Sequence, residues 1–274
     1  MKNIQIDQVE VMAKNMRLHA LEMAYKAGEK GAHLGGGLSC IEILAVLYGG
    51  IASLKSEEPL WKNRDRILIS KAHAVLAYYT ALNEKGFIST SELMAFEQEY
   101  TEFPGHPLKL PQKGIEYAGG SLGMALSVGA GMAAHAKRVD KSYSVYVLLG
   151  DGECEEGSIW EAVMFANKNK LDNLIAIVDR NHLQYDGSTE EVAGFDEIEK
   201  KFEAFGWLSV NVDGHDVGDL IEAFMTEHVG RPLAIIADTV KGKGVSFMEN
   251  NSSWHHAVLS ESLYKQALEE LCEE

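Results

Sequence analysis

Two uninterrupted apolar runs of strand length, Tyr143–Leu149 and Leu174–Asp179, flank a segment, Ser158–Lys170, whose apolar residues recur at helical spacing. A strand that is apolar at every position has no face to offer water, so both sides of its sheet must be covered. Two such strands joined through a helix are parallel neighbours linked by a right-handed crossover. Two further strand candidates, Trp207–Val212 and Pro232–Thr239, bracket the helix-like Val217–His228. The pattern predicts an α/β fold, a parallel sheet with helices on both faces, as one domain over residues 1–274. In such folds ligands collect at the carboxyl ends of the strands, so the residues that follow each run matter most.

The first half reads as mostly helical. Residues 7–30 and 39–50 have helical periodicity, the second opening on Ser39 with Glu42 three positions on, a capping-box pattern. Arg66–Ser70 is a short apolar run, His73–Lys85 a helix closed by Gly86, and Ser91–Tyr100 a short helix with Ser91 as its cap. Pro104, Pro107 and Pro111 make Phe103–Gly114 a loop, since proline fixes φ and removes donors. Leu259–Glu274 closes the chain as a helix. Gly119–Ala136 is rich in Gly, Ala and Ser and leads into Lys137 and Arg138, which fits a close-packed soluble helix better than a membrane span. Within it, Gly129-Ala130-Gly131-Met132-Ala133-Ala134 spells a dinucleotide-binding pattern but follows no strand, so helix packing is the better reading. Gly242-Lys243-Gly244 lacks the spacing of a P-loop.

Charge narrows the function classes. Lys and Arg number 25 against 41 Asp and Glu, a net charge of −16 that disfavours nucleic acid and anionic membrane surfaces as partners. Cys40, Cys154 and Cys272 are odd in number and share no metal-like spacing, which points to a reducing compartment. With no basic start followed by an apolar block, a cytoplasmic location is expected.

The chemistry-bearing residues gather after the strands. Gly150-Asp151-Gly152-Glu153-Cys154-Glu155-Glu156-Gly157 follows the first run, and Asp179-Arg180-Asn181-His182-Leu183 closes the second. Asp151 and Asn181 are thirty residues apart, one strand–helix–strand unit. In a parallel sheet that spacing sets a carboxylate and an amide oxygen side by side at neighbouring strand tips. Two hard oxygen donors beside glycines suit Mg²⁺ or Ca²⁺ holding a diphosphate. Either half alone reads more readily as a tight turn or a cap. The pair favours a metal site.

Gly-Asp-Gly followed about thirty residues later by Asn after an apolar strand resembles the thiamine-diphosphate signature, and the surroundings resemble the transketolase family. The segments that carry the likeness are Gly31-Ala32-His33-Leu34-Gly35-Gly36-Gly37-Leu38-Ser39, Ser70-Lys71-Ala72-His73-Ala74, Phe103-Pro104-Gly105-His106-Pro107 and Gly119-Gly120-Ser121-Leu122-Gly123. Val212-Asp213-Gly214-His215-Asp216 and Lys241-Gly242-Lys243-Gly244-Val245-Ser246 follow, the last leading to Trp254-His255. The resemblance implies a thiamine-diphosphate-binding (PP-type) domain. Asp151, Asn181 and the Leu183 carbonyl would bind Mg²⁺, with Ca²⁺ as a substitute. His73, Gly152 and His255 would contact the diphosphate, and Gly120 and Leu122 the cofactor rings. His33, His106 and His255 would be the catalytic histidines facing sugar hydroxyls, and Glu156 would help connect paired active sites.

Other residues have plainer readings. His19, His135 and His228 sit in helix patterns as surface or packing residues, His182 and His256 neighbour matched positions, and His215 could be a polar buttress. Glu153 and Glu155 read as solvated charges. The sequence departs from the family at Leu34, where proline is usual, at Ala72, where glycine is, and at Met124, where glutamine is common. These departures bear on the acceptor channel and the substrate.

The family's pyrimidine-binding and C-terminal domains, with the glutamate that activates the cofactor and the basic residues that grip a sugar phosphate, are expected on a partner chain. The resemblance therefore implies the N-terminal subunit of a split enzyme, active only with a C-terminal partner subunit, in a heterotetramer of two copies of each chain. The implied reaction moves a two-carbon ketol unit from a ketose, as its phosphate, to an aldose. The alternatives are a subunit of another thiamine enzyme, such as a deoxyxylulose-phosphate synthase-like one, or a cofactor-binding subunit without turnover.

Overall fold

The computed structural model describes residues 4–194 and 197–273. Five strands form one sheet in the order β1-β2-β3-β5-β4: β1 Arg66–Ile69, β2 Val145–Gly150, β3 Leu174–Arg180, β4 Leu208–Asp213 and β5 Leu233–Asp238. Every pairing is parallel, with Leu148 opposite Ile69 and Ile177, and Ile235 opposite Val210. The five apolar runs all become strands, within a residue or two of their expected limits.

Alternate side chains of the sheet enter two separate cores. Ile67, Ile69, Leu148, Ile175, Ile177 and Ile235 pack on one face, beneath α1 (Ile6–Lys26), α2 (Leu34–Leu38), α3 (Ile41–Val46), α4 (Val75–Glu84) and a further helix after β4. Leu68, Val145, Val147, Ala176, Val178 and Ile236 pack on the other. A short helix, α5 (Thr90–Leu93), precedes the proline-rich loop, and α6 (Ala125–Arg138) and α7 (Gly157–Lys168) cover the second face. The remaining helices are α8 (Thr189–Ala193), α9 (Ile198–Ala204), α10 (Val217–Phe224) and α11 (Glu261–Glu273), α10 being the one after β4. Glu274, the last residue of the expected final helix, lies outside the described residues.

Helix α6 owes its close seat on the sheet to small residues. A Cβ on Gly129 would stand 2.7 Å from Val147 Cγ2, so the dinucleotide-like pattern serves packing. The helix begins at Ala125, not Gly119, and leaves 119–124 as a loop over the strand ends. No helix among the described residues is long and apolar enough to cross a membrane.

Two capping assignments are corrected. Ser39 does not open a helix: it ends α2, and its hydroxyl donates to Gly36 O and, at 2.6 Å, to Asp179 Oδ2. Glu42 instead pairs with Arg17 at 2.6 Å, because a buried carboxylate needs a cation more than a helix terminus needs a cap. The cap of α5 is Ser89, in a full capping box with Glu92, and the helix stops at Leu93 rather than running to Tyr100. Ser89 and Ser91 are two residues apart, and only Ser89 stands three before a glutamate.

Candidate functional site

The carboxyl ends of β1, β2, β3 and β5 open into one cavity of about 460 Å³. Its wall contains His33, His73, His106, Gly120, Leu122, Asp151, Gly152, Glu156, Asn181, Leu183 and His255, so the residues to which the resemblance assigns catalytic, cofactor and metal roles face one space. Each arrives from a different element. His73 follows β1 in a turn of 3-10 helix, Asp151 follows β2, Asn181 follows β3, and His33 precedes α2. Gly120 stands at φ 153°, a backbone conformation that L side chains rarely adopt, where the loop passes over the cavity.

Five imidazoles cluster on one side, His33 at their centre. The His33 ring centroid lies 5.4 Å from His73, 5.6 Å from His106, 5.6 Å from His255 and 4.5 Å from His256. Burial, then the neighbouring histidines, lower the His33 pKa to about 3. Burial and Lys241 lower His255 to about 4, and burial holds His73 well below its ordinary value. These rings are therefore neutral near pH 7, each able to donate from one nitrogen and accept at the other. Lys241 Nζ stands 3.1 Å from His255 Nδ1. An ammonium there makes Nδ1 the acceptor and leaves Nε2–H as the donor.

The opposite side is a cradle of oxygen donors. Asp151 is buried, its carboxylate accepting from Gly152 N at 2.8 Å and His182 N at 2.6 Å. Burial, with the nearby Asp179 charge, pushes its pKa up to about 6. A carboxylate held this close to losing its charge has oxygen capacity to spare for a cation. Asn181 is oriented by its neighbour: Nδ2 donates to Asp179 Oδ2 at 3.1 Å, and Oδ1 accepts from Leu183 N at 3.3 Å. Carboxylate, amide and carbonyl oxygens together fit a hard divalent ion.

Two lysines at the cavity have no role in the sequence reading. Lys71 is wholly buried, paired with Asp179 and donating to Gly36 O at 2.9 Å. Asp179 also accepts from Ser39 and Thr239, so one carboxylate pins four segments beneath the cavity. Lys241 donates to Leu183 O at 2.7 Å, and burial together with Lys71 lowers its pKa to about 8. Lys241 thus occupies the carbonyl that the metal reading requires, and a cation bound beside it would call for an anion to offset the two positive charges. A diphosphate is such an anion. The one available signal was position, since Lys71 and Lys241 each lie within three residues of a strand end.

Several other readings change. Glu153 is not solvated: it is 3% exposed, bound to Ser70 and accepting from Gly123 N at 2.7 Å and Gly150 N at 3.0 Å. It fastens the Gly120 loop to the tip of β2. His215 is a buttress, its Nε2 accepting from Val240 N at 2.8 Å and its Nδ1 3.0 Å from Glu42. His182 pairs with Asp238 at 3.2 Å, outside the cavity wall. Leu34 and Ala72 are buried and Met124 is exposed, and none of the three lines the cavity.

Comparison with known proteins gives one answer. Residues 8–272 match the family model described as "Transketolase, thiamine diphosphate binding domain". The chain is 41% identical over 273 residues to one subunit of the apulose-4-phosphate transketolase of Phocaeicola vulgatus, covering 98% of this chain and 96% of that one. It is 37% identical to a 6-deoxy-6-sulfo-D-fructose transketolase subunit of a Clostridium species, covering 99% and 98%. Human transketolase is 39% identical over 261 residues, but this chain spans only 41% of its length. The crystal structure of Campylobacter jejuni transketolase superposes with a TM-score of 0.90 at 30% identity, over 98% of this chain and 43% of that one.

Proposed function

Because the chain belongs to the transketolase family, we propose that it is the N-terminal, diphosphate-binding subunit of a split transketolase, moving a two-carbon ketol unit from a ketose to an aldose. It is matched over nearly its whole length by relatives named as subunits, and such a subunit works with a partner. The partner carries the pyrimidine-binding and C-terminal domains, and the assembly is a heterotetramer with two copies of each chain. Supporting this is a set of exposed apolar side chains: Leu122, which lines the cavity, is 39% exposed, with Met124 48%, Val128 37%, Met164 50% and Phe165 48% exposed. Surface of this kind, on α6, α7 and the loop before α6, is what an interface between subunits covers.

The single observation that carries the reading is the meeting of an imidazole cluster with an oxygen-and-lysine cradle in one cavity. Asp151, Asn181 and the Leu183 carbonyl would hold Mg²⁺, and His73, Gly152, Lys241 and His255 would receive the diphosphate. When bound, thiamine diphosphate supplies the electron sink that a ketol transfer requires. Gly120 and Leu122 back its rings, and Glu156 communicates with the second site of the assembly. His33, His106 and His255 hydrogen-bond the sugar hydroxyls, His255 as a donor from Nε2–H, and His33, neutral near pH 7, has a free ring nitrogen to accept a proton the sugar releases. The donor is a ketose with a terminal anion, a phosphate by preference. Two relatives are named for a ketose phosphate and a sulfo-sugar. A cytoplasmic location suits Cys40, Cys154 and Cys272, all free thiols.

Calorimetry on the assembled complex tests the cradle. Thiamine diphosphate should bind only with Mg²⁺ present, and Asp151→Ala should abolish that binding while the subunits stay assembled. Wild-type affinity in the variant would remove Asp151 from the metal site.

A further inference from the structure

We propose that Glu97 is a positioning residue that ties the loop bearing His33 to the loop bearing His106, and so sets the spacing of the two imidazoles. The proposal rests on the reading of both histidines as sugar-facing. Their rings are 5.6 Å apart but come from loops more than seventy residues apart in sequence, and neither loop belongs to a strand or long helix. Something outside regular structure has to fix their separation.

Glu97 touches both loops. Its carboxylate Oε1 accepts the N–H of Gly105, the residue before His106. Its carbonyl oxygen accepts from Lys30 Nζ, which also lies 3.7 Å from Oε2, and Lys30 stands three residues before His33. Its own N–H donates to Phe103 O at 3.3 Å. The glutamate adopts φ 58°, a left-handed conformation that a side-chain-bearing residue takes only at a cost. Such strain is retained where surrounding contacts impose it.

The surroundings leave the tie little play. Phe96 and Phe103, on either side of Glu97, both lie against Tyr79, at ring separations of 6.3 and 5.3 Å. Tyr79 Oη donates to Pro104 O at 2.9 Å. A Cβ at Gly105 would come within 2.8 Å of Glu97 Oε1, so a side chain there would push the carboxylate off its present seat. The carboxylate, 24% exposed, stands at the edge of the site rather than in its wall.

Kinetics on the reconstituted enzyme separate positioning from folding. Glu97→Gly removes the carboxylate at a φ that glycine adopts freely, so its unfolding temperature should not fall. Glu97→Gln keeps an acceptor for Gly105 and loses the charge. Glu97→Gly should lower kcat/KM for the ketose donor by about tenfold, a loss in line with small misplacements of reacting groups. Thiamine diphosphate affinity should stay within about twofold, and Glu97→Gln should recover most of the loss. In a His106→Ala background Glu97→Gly should cost less than about twofold more, because both changes act through one imidazole. Wild-type kinetics in Glu97→Gly, or losses fully additive with His106→Ala, would overturn the positioning role while leaving the function intact. A fully active His106→Ala enzyme would instead overturn the sugar-facing reading, and the proposal with it.

Discussion

Replacing Asp151 by asparagine should stabilise the cofactor-free chain while removing its metal affinity. The buried carboxylate titrates near 6 instead of its ordinary 3.8. The folded chain thus keeps this proton to higher pH than the unfolded chain does. The stability so contributed is fully present below about 3.8 and is lost as pH rises through about 6. The gap is about two pH units at about 1.4 kcal/mol each, so ionised Asp151 costs the fold about 3 kcal/mol at pH 8. Asparagine removes that cost but leaves one of the two backbone donors, Gly152 N or His182 N, without an acceptor. That loss is about 1–2 kcal/mol. The net gain of about 1–2 kcal/mol should raise the unfolding temperature by roughly 3–6 °C at pH 8 in a chain of this size. Scanning calorimetry of the full chain in a chelator, at pH 4.5 and pH 8, reads the difference. The advantage of Asp151→Asn should disappear at pH 4.5, and Mg²⁺ with thiamine diphosphate should stabilise only the wild type in the assembled complex. An equal difference at both pH values, or a less stable variant at pH 8, would refute the idea that Asp151 is held ready for a cation.

Further substitutions probe separate parts of the account. His106→Ala should lower turnover with a ketose donor by about tenfold or more, the equivalent of about 1.4 kcal/mol of transition-state binding, and leave cofactor affinity within about twofold; equal losses in both would make His106 a loop residue only. Lys241→Met should weaken thiamine diphosphate binding by about tenfold or more, with the deficit shrinking as salt rises; an unchanged Kd would mean that Lys241 serves the fold alone. Gly129→Ala should destabilise by about 1–2 kcal/mol, since overpacking against Val147 outweighs the better helix propensity. Gly131→Ala, with nothing within 4 Å of its Cβ position, should stabilise by up to about 1 kcal/mol; thermal melts of both variants in the full chain check the contrast.

The sheet was legible in sequence because a strand covered on both faces carries its signal in every residue, as Leu174–Val178 does. The cavity was legible because ligands gather after strands in this fold class, and Asp151, Asn181 and His73 each follow one. What escaped depends on contacts distant in the chain. Ser39 looks like a cap until Asp179, 140 residues away, takes its hydroxyl. Glu153 sits in an acidic run that reads as solvated until the strand packing buries it against Ser70 and Gly123. Lys71 and Lys241 stand in family-like segments near strand ends, but nothing local assigns them a role; that comes from the carboxylate and carbonyl that tertiary structure brings to them. Glu97 is similar: it lies within the expected helix Ser91–Tyr100, and its role comes into view only because the helix stops at Leu93 and leaves it in a turn.

The central claim is two-carbon transfer by a site shared between this chain and a partner, and label transfer measures it most directly. A ketose phosphate carrying ¹³C at both C1 and C2 is incubated with an aldose acceptor, the purified chain, its partner subunit, thiamine diphosphate and Mg²⁺. The account predicts a new ketose, two carbons longer than the acceptor, with the two labels still bonded to each other. It also predicts no product when either chain or the cofactor is left out. Robust multiple turnover by this chain alone, or no coupled-label product from the complete mixture over a panel of ketose donors, would contradict it.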